Sequence, residues 1–349
     1  MNKTTPILIL SLIILLLSSC SGIKYLTVET LEPAQIMLPA DVLRVTIVNN
    51  VAQQPNNVGH DLIELGQSSP QRVTASADSA AIYYTEALAQ FLEEEDYFLR
   101  VTYYDQPVRT DKDFFQEQLL PPERMQEIRN KTGADAIISL DRLILETTKQ
   151  EHFRQQGYTY ANLNGKINST IRVYLPTMEG KIPRVQYTDS LNWIGFDIQD
   201  EKAYAEEMIP TREEAMMILA VNAAEKMTRV FAPHWEMQDR WYYTSSSSLM
   251  REGQTLAEKA QWTEAISKWE LYFDGQTNKS NKAKAANNIA LAYEMLDNMD
   301  EAYKWANVAN DLFIESSSPN SLERRRSLLF LNEIERRRNT LNRIDMQTE

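Results

Sequence analysis

The sequence predicts two architectures in one chain, an N-terminal domain of α+β or α/β class and a C-terminal all-α domain of repeated helix pairs. Three observations carry this. Between residues 43 and 175, short β-branched and apolar runs alternate with stretches of helical spacing, an order that argues for helices layered on a sheet. The run "SSSS", Ser245–Ser248, then marks a boundary. Beyond it Gly253, Leu256, Trp262, Ala265 and Trp269 recur 37 residues later as Ala290, Tyr293, Met299, Ala302 and Ala306, the self-similarity of a repeat array.

The elements follow in order. Met1 to Pro6 carry one charge, Lys3, and Ile7 to Leu17 are unbroken apolar residues. A run of that length is too short for a bilayer, which needs roughly 20 apolar residues, and fits the apolar core of a secretory signal over residues 1–19. Cys20 is the only cysteine, so it makes no internal disulfide and builds no zinc site by itself. Residues 20–39 hold Pro33 and Pro39 without sustained periodicity and read as a tether, which puts the first domain at 40–244. Leu43, Val45 and Ile47 alternate as in a strand, and the polar stretch from Ala52 to Gln71 reads as a long loop. Ala81, Tyr84, Leu88 and Phe91 share a helical face that ends in the acidic run Glu93 to Asp96, followed by the strand-like "YFLRVTYYD". A proline-initiated helix stops at Gly133 and feeds the apolar strand "ADAIISLDRLILET". Ile167, Ile171, Val173 and Leu175 alternate ahead of a turn at Gly180, which predicts a hairpin with "PRVQYTDSLNWIGF". Thr211 and Glu214 form a capping box for a helix with Met217, Val221, Ala224, Met227 and Phe231 on one face, ended by Pro233. In "HWEMQDRWYYT", Trp235, Trp241, Tyr242 and Tyr243 read as aromatics sealing the edge of the core.

Leu17-Ser18-Ser19-Cys20 resembles the lipobox of bacterial lipoproteins. That resemblance implies that Cys20 is acylated and becomes the mature N-terminus, an anchor that needs no transmembrane helix. The residues after it, "SGIKY", place no aspartate beside the lipid, and by resemblance to sorted lipoproteins this implies the outer membrane, periplasmic face. "TGADAIISL", Thr132 to Leu140, with the helix before it, is similar to the small α/β domains of envelope lipoproteins that serve curli secretion and peptidoglycan-synthase activation. The whole layout resembles uncharacterised envelope lipoproteins, for which no activity is implied.

Residues 249–345 resemble tetratricopeptide repeats, whose paired helices touch through small residues, with a polar helix from Ser321 to Ile344 as the cap. In that cap Leu322, Leu329 and Ile334 are the apolar positions, and Glu323, Glu333 and Glu335 interleave with the two "RRR" runs. Such repeats line their concave face with the first helix of each pair. Here that helix carries Lys284, Asn287, Leu291 and Glu294 on one stripe, a cation, an amide, an apolar group and a carboxylate suited to an extended peptide. Ala286, Ile289, Ala290 and Ala302 are expected to pack inside.

A net charge of −13 argues against nucleic-acid binding. None of the ten glycines falls in a phosphate-cradling spacing, and the three histidines, His60, His152 and His234, are far apart, so no catalytic, metal or cofactor site is expected. The sequence thus points to a membrane-anchored, non-enzymatic scaffold or adaptor that binds a protein partner. A glycan-binding lipoprotein of the polysaccharide-uptake type is the alternative.

Overall fold

Strand β2 (Arg44–Asn49) is buried from Val45 through Val48, which only a strand covered on both faces can be. The computed structural model describes residues 22–64, 67, 69–154, 158–176, 182–196 and 207–348. The signal segment, Cys20 and the turn at Gly180 lie outside them. Contacts divide the chain into a sheet unit, Pro33–His234, and a helical unit that joins the residues up to Glu32 to Trp235–Met346.

In the sheet unit β2 lies between β5 (Arg100–Tyr104) and β6 (Ala136–Arg154), parallel to both. Helix α1 (Ala80–Glu94) links β2 to β5, and α2 (Pro122–Thr132) links β5 to β6. The chain therefore moves to one side of β2 and returns past it. Two crossovers of the same hand in opposite directions must put their helices on opposite faces. That is what packing gives: Val45 and Ile47 meet α1, whereas Val48 and Ile137 meet Ile128 of α2. Gly133 ends α2 at φ 70°, in the left-handed region a helix C-terminus favours. Strands β7 (Tyr158–Tyr174) and β8 (Arg184–Phe196) pair antiparallel, the hairpin that the alternation predicts, and β6 pairs antiparallel with β7, which it does not. Helix α3 (Arg212–Phe231) begins with the capping box of Thr211 and Glu214. Its buried face is broader than expected: Met216, Leu219, Ala220 and Ala223 are buried with Ala224, Met227 and Phe231, while Met217 and Val221 are only half-buried.

Three expectations are corrected here. Leu43 precedes β2 and is half exposed. The long polar loop contains two short strands, β3 (His60–Ile63) on β6 and β4 (Gln71–Arg72) on β3. The presumed tether, 20–39, holds β1 (Ile23–Glu32), which pairs with β9 (His234–Tyr243). Thr244 N–H to Gly22 C=O at 3.0 Å and Thr30 Oγ1 to Glu236 C=O at 3.4 Å set the two strands antiparallel.

The N-terminal, sheet-rich region is followed by an all-helical one, with five helices among the described residues: α4 (Ser248–Ala257), α5 (Trp262–Gly275), α6 (Lys279–Met295), α7 (Met299–Ser316) and α8 (Leu322–Thr348). From α4 to α7 each helix packs on the next. Gly253 of α4 is required by its neighbour, since a Cβ there would overlap the indole of the fully buried Trp269. In α8 the expected apolar positions Leu322 and Leu329 are exposed, and the buried stripe is Ser327, Phe330, Ile334, Arg337 and Thr340. No described helix is long and apolar enough to cross a membrane.

Candidate functional site

The stripe expected on α6 is where the helical unit does its most specific work, but it does not face solvent. Asn287, Leu291 and Glu294 are fully buried, and Lys284 is half-buried with its Nζ 6.0 Å from the ring centre of Tyr243. What covers them is β9. Asn288 holds that strand edge-on, accepting the Tyr243 N–H at 2.7 Å and donating Nδ2 to the Tyr243 carbonyl at 2.8 Å. Asn287 donates Nδ2 to the Trp241 carbonyl at 3.5 Å. Leu291 joins Tyr242, Met299, Phe330 and Ile334 in a closed apolar cluster. The four residues assigned to partner binding therefore form a seat for the chain's own extended segment. The spacing identified the stripe; nothing in it could tell a free peptide from a resident one.

Charge closes the seat at its other end. The Glu294 carboxylate, fully buried, accepts from Arg240 Nε at 2.9 and 3.0 Å and from Arg337 Nη1 at 3.0 Å. Arg337 also reaches Asp297 at 2.9 Å, and Arg336 reaches Glu32 of β1 at 2.6 Å. One arginine of the second run thus closes on α6 and another on the ribbon. Burial pushes the hydroxyl of Tyr243 up to about 12, and burial with Glu258 nearby does the same for Tyr242. A raised phenol favours the neutral form in the folded state, so stability is full below pH ~10 and is lost as pH climbs toward 12. Unfolding free energies from urea titrations at pH 9, 10.5 and 12 are expected to fall by on the order of 2 kcal/mol across that window, with ultraviolet absorbance following the phenolates.

The sheet unit offers a second site at the carboxyl ends of β2 and β5, where the strand order reverses and open α/β sheets form their crevices. Two adjoining hollows of about 240 and 220 Å³ share Asn49, Val51 and Ile82 as a common wall. Gln53, Asp78 and Leu143 line the first, and Tyr103, Asp105 and Arg109 the second. Behind Asn49 lies a buried network centred on Asp141, which a bulge between Leu140 and Arg142 sets out of the ladder. Its Oδ1 accepts from Asn50 Nδ2 at 3.0 Å and Ser139 Oγ at 2.6 Å, and its Oδ2 from Arg172 Nη1 at 2.5 Å. Arg172 also meets Glu117 at 2.6 Å, and hydrogen bonds from Arg184 and Arg172 hold the Glu117 carboxyl below its ordinary value against burial. Every strong donor and acceptor in this network has a partner within it. It braces the loop after β5 through Asn50 Nδ2 to the Gln118 carbonyl at 2.7 Å.

Two histidines have described side chains. His60 is buried in β3 with Nδ1 2.9 Å from Thr147 Oγ1, and burial, then Arg212, pushes it below its ordinary value. His234 is half-buried at the start of β9. The side chain of His152 lies outside the described residues. No group of three or more His, Cys, Asp or Glu among the described residues is arranged to hold a metal ion.

A family model described as "Domain of unknown function (DUF8603)" matches residues 42–243, and one described as "Domain of unknown function (DUF6340)" matches residues 251–336. No curated protein matches. Among solved structures, the crystal structure of protein XCC0632 from Xanthomonas campestris, described under family model DUF330, is similar at 7% identity with a TM-score of 0.25. The match covers 57% of this chain and 87% of that one.

Proposed function

The chain belongs to the family described as Domain of unknown function (DUF8603), and we propose from that premise that it is a lipid-anchored, non-enzymatic scaffold of the bacterial cell envelope. The helical unit is read as tetratricopeptide-like. In support, its first four helices pack in sequence order, and the small residues of the 37-residue self-similarity, Gly253, Ala265, Ala290, Ala302 and Ala306, are all buried. The observation that carries the reading is the two-point hold of Asn288 on the backbone of Tyr243, the way a helical groove grips an extended chain independently of its side chains. Because the strand fills that groove, the protein partner engages another surface. An open hollow of about 500 Å³ lined by Arg251, Thr255, Leu256 and Lys268 of α4 and α5 is the surface assigned to it. A photocrosslinker at Arg251 is expected to capture an envelope protein in intact cells, and one at Leu291 only the chain itself. Capture of the same partner from both positions would reject the assignment.

The anchor is Cys20, and the membrane is the outer one, on its periplasmic side, by the residues that follow it. Metabolic labelling with a fatty acid is expected to mark the wild type and leave Cys20→Ala unlabelled, with the variant recovered in the aqueous fraction. Label retained on Cys20→Ala would remove the lipid anchor from the reading. A second reading, glycan binding, is favoured by one observation: the crevice beside β2 sets the amides of Asn49 and Gln53 near Ile82 and Tyr103, polar groups beside apolar faces as a sugar ring requires. Calorimetric titration with envelope oligosaccharides tests it. Heat of binding that vanishes in Asn49→Ala would favour it over the scaffold.

A further inference from the structure

The ribbon of β1 and β9 has two faces, and on one of them Ile23, Trp241 and Tyr243 pack on the helical core at one end, with Trp241 5.6 Å from Phe330 between ring centres, while the rest of that face is exposed. Val28, Thr30 and Glu32 of β1 and Arg240 and Tyr242 of β9 are buried on the opposite face, where Glu32 meets Arg336 and Arg240 meets Glu294. The first face carries Tyr25, 65% exposed, Trp235, 66%, and Met237, 72%. Thr27 and Asp239 lie between them on the same face, joined Oγ1 to Oδ1 at 3.2 Å. The pairing sets Met237 across from Glu29 and Trp235 across from Leu31, so the three large side chains spread over about 20 Å of ribbon.

Single exposed apolar residues are ordinary on a protein surface. Here three share one face of one ribbon, and the sequence says what is close to it. Ile23, the first residue of β1, follows Cys20 by three positions, a length of chain that reaches about 10 Å at most. If Cys20 carries acyl chains, the start of the ribbon is held within that distance of the bilayer surface. We propose that the outer face of the β1–β9 ribbon lies in the interfacial region of the bilayer that holds Cys20, with Tyr25, Trp235 and Met237 among the headgroups. This rests on the lipid-anchor reading given above.

The side-chain chemistry fits that depth. Tyrosine and tryptophan join an apolar body to one polar tip and concentrate where lipid meets water, and methionine adapts to irregular surroundings. Charge selects the lipid. Glu29 and Asp239 share the face, and the chain as a whole carries −13, so an anionic leaflet would repel it. A zwitterionic surface is the match, and the contact is insensitive to salt because no ion pair makes it.

The test uses the full acylated protein, reconstituted into vesicles of phosphatidylethanolamine and phosphatidylcholine with brominated acyl chains that quench nearby indoles. With six tryptophans in the chain, wild-type emission is expected to fall by roughly one-sixth through Trp235, and Trp235→Phe to lose that component. The double variant Tyr25→Ser, Met237→Ser is expected to at least halve it while acylation and near-ultraviolet circular dichroism stay unchanged. Equal quenching of wild type and Trp235→Phe would overturn the proposal, as would protection of Trp235 from aqueous acrylamide by a copurifying protein in the absence of lipid. Protein that carries no acyl chain and does not float with the vesicles would instead overturn the anchor, and the proposal with it.

Discussion

Glu294→Ala is expected to destabilise the helical unit by about 3–5 kcal/mol, the cost of removing one partner from a buried ion pair and leaving the other charge uncompensated. Two guanidiniums depend on this carboxylate: the Arg240 side chain is 4% exposed and that of Arg337 11%. Glu294→Gln keeps the shape and one acceptor and should lose less. Replacing the cluster by apolar residues of similar volume, Glu294→Met with Arg240→Met and Arg337→Leu, is expected to recover most of the loss, because the desolvation of all three charges disappears together. Urea unfolding followed by tryptophan emission reads it, since Trp241, Trp262, Trp269 and Trp305 all lie in this unit. A loss under about 1 kcal/mol for the alanine variant would mean that water reaches the cluster.

In the sheet unit Asp141→Ala is expected to cost about 3 kcal/mol, the lower end of that range because Arg172 keeps Glu117 at 2.6 Å. Asn50 Nδ2 keeps the Gln118 carbonyl, whereas Ser139 loses the Asp141 carboxylate, a loss contained in that figure. The carboxylate at Glu117 sets the pH dependence. Its folded value is depressed by Arg184 and Arg172, so its contribution is present above the ordinary glutamate value and disappears as pH falls through the folded one. Wild type should therefore weaken below pH ~4, and Glu117→Gln should weaken less over the same interval. Trp193 is the indole of this unit and reports its unfolding. An unchanged urea midpoint in Asp141→Ala would show that the bulge holds the loop without the carboxylate.

Local pattern carried most of the sheet unit. The order of β2, α1, β5, α2 and β6 was legible from strongly periodic runs, and from the proline and glycine that bound α2. Pairing was not legible where it is remote. "IKYLTVETLE" has the β-branched residues of a strand, but its partner lies some two hundred positions on, and the two prolines after it, Pro33 and Pro39, made it read as a tether. "HWEMQDRWYY" was read for its aromatics and not as a strand, although it runs from exposed Trp235, Glu236 and Met237 to buried Arg240, Tyr242 and Tyr243. On α6 the period of the stripe was right and its surroundings were not. A mixed polar and apolar stripe recognises an extended backbone equally well whether that backbone comes from a partner or from the same chain. The Asp141 network left no local mark, because its members come from positions 50, 117, 139, 141, 172 and 184 and meet only through the sheet.

The hydrogen bond from Ile36 N–H to the Val230 carbonyl at 2.9 Å ties together the two ends of the sheet unit. Just beyond those ends the chain leaves β1 at Glu32 and rejoins β9 at His234, side by side at one tip of the ribbon. In topological terms the sheet unit is a guest, inserted at the bend of a hairpin that belongs to its host. An unfolded insert of roughly 200 residues would raise the entropic cost of closing that hairpin by about 3 kcal/mol over a turn of four. A folded guest presents the host with ends as close as those of a turn, and the cost largely vanishes.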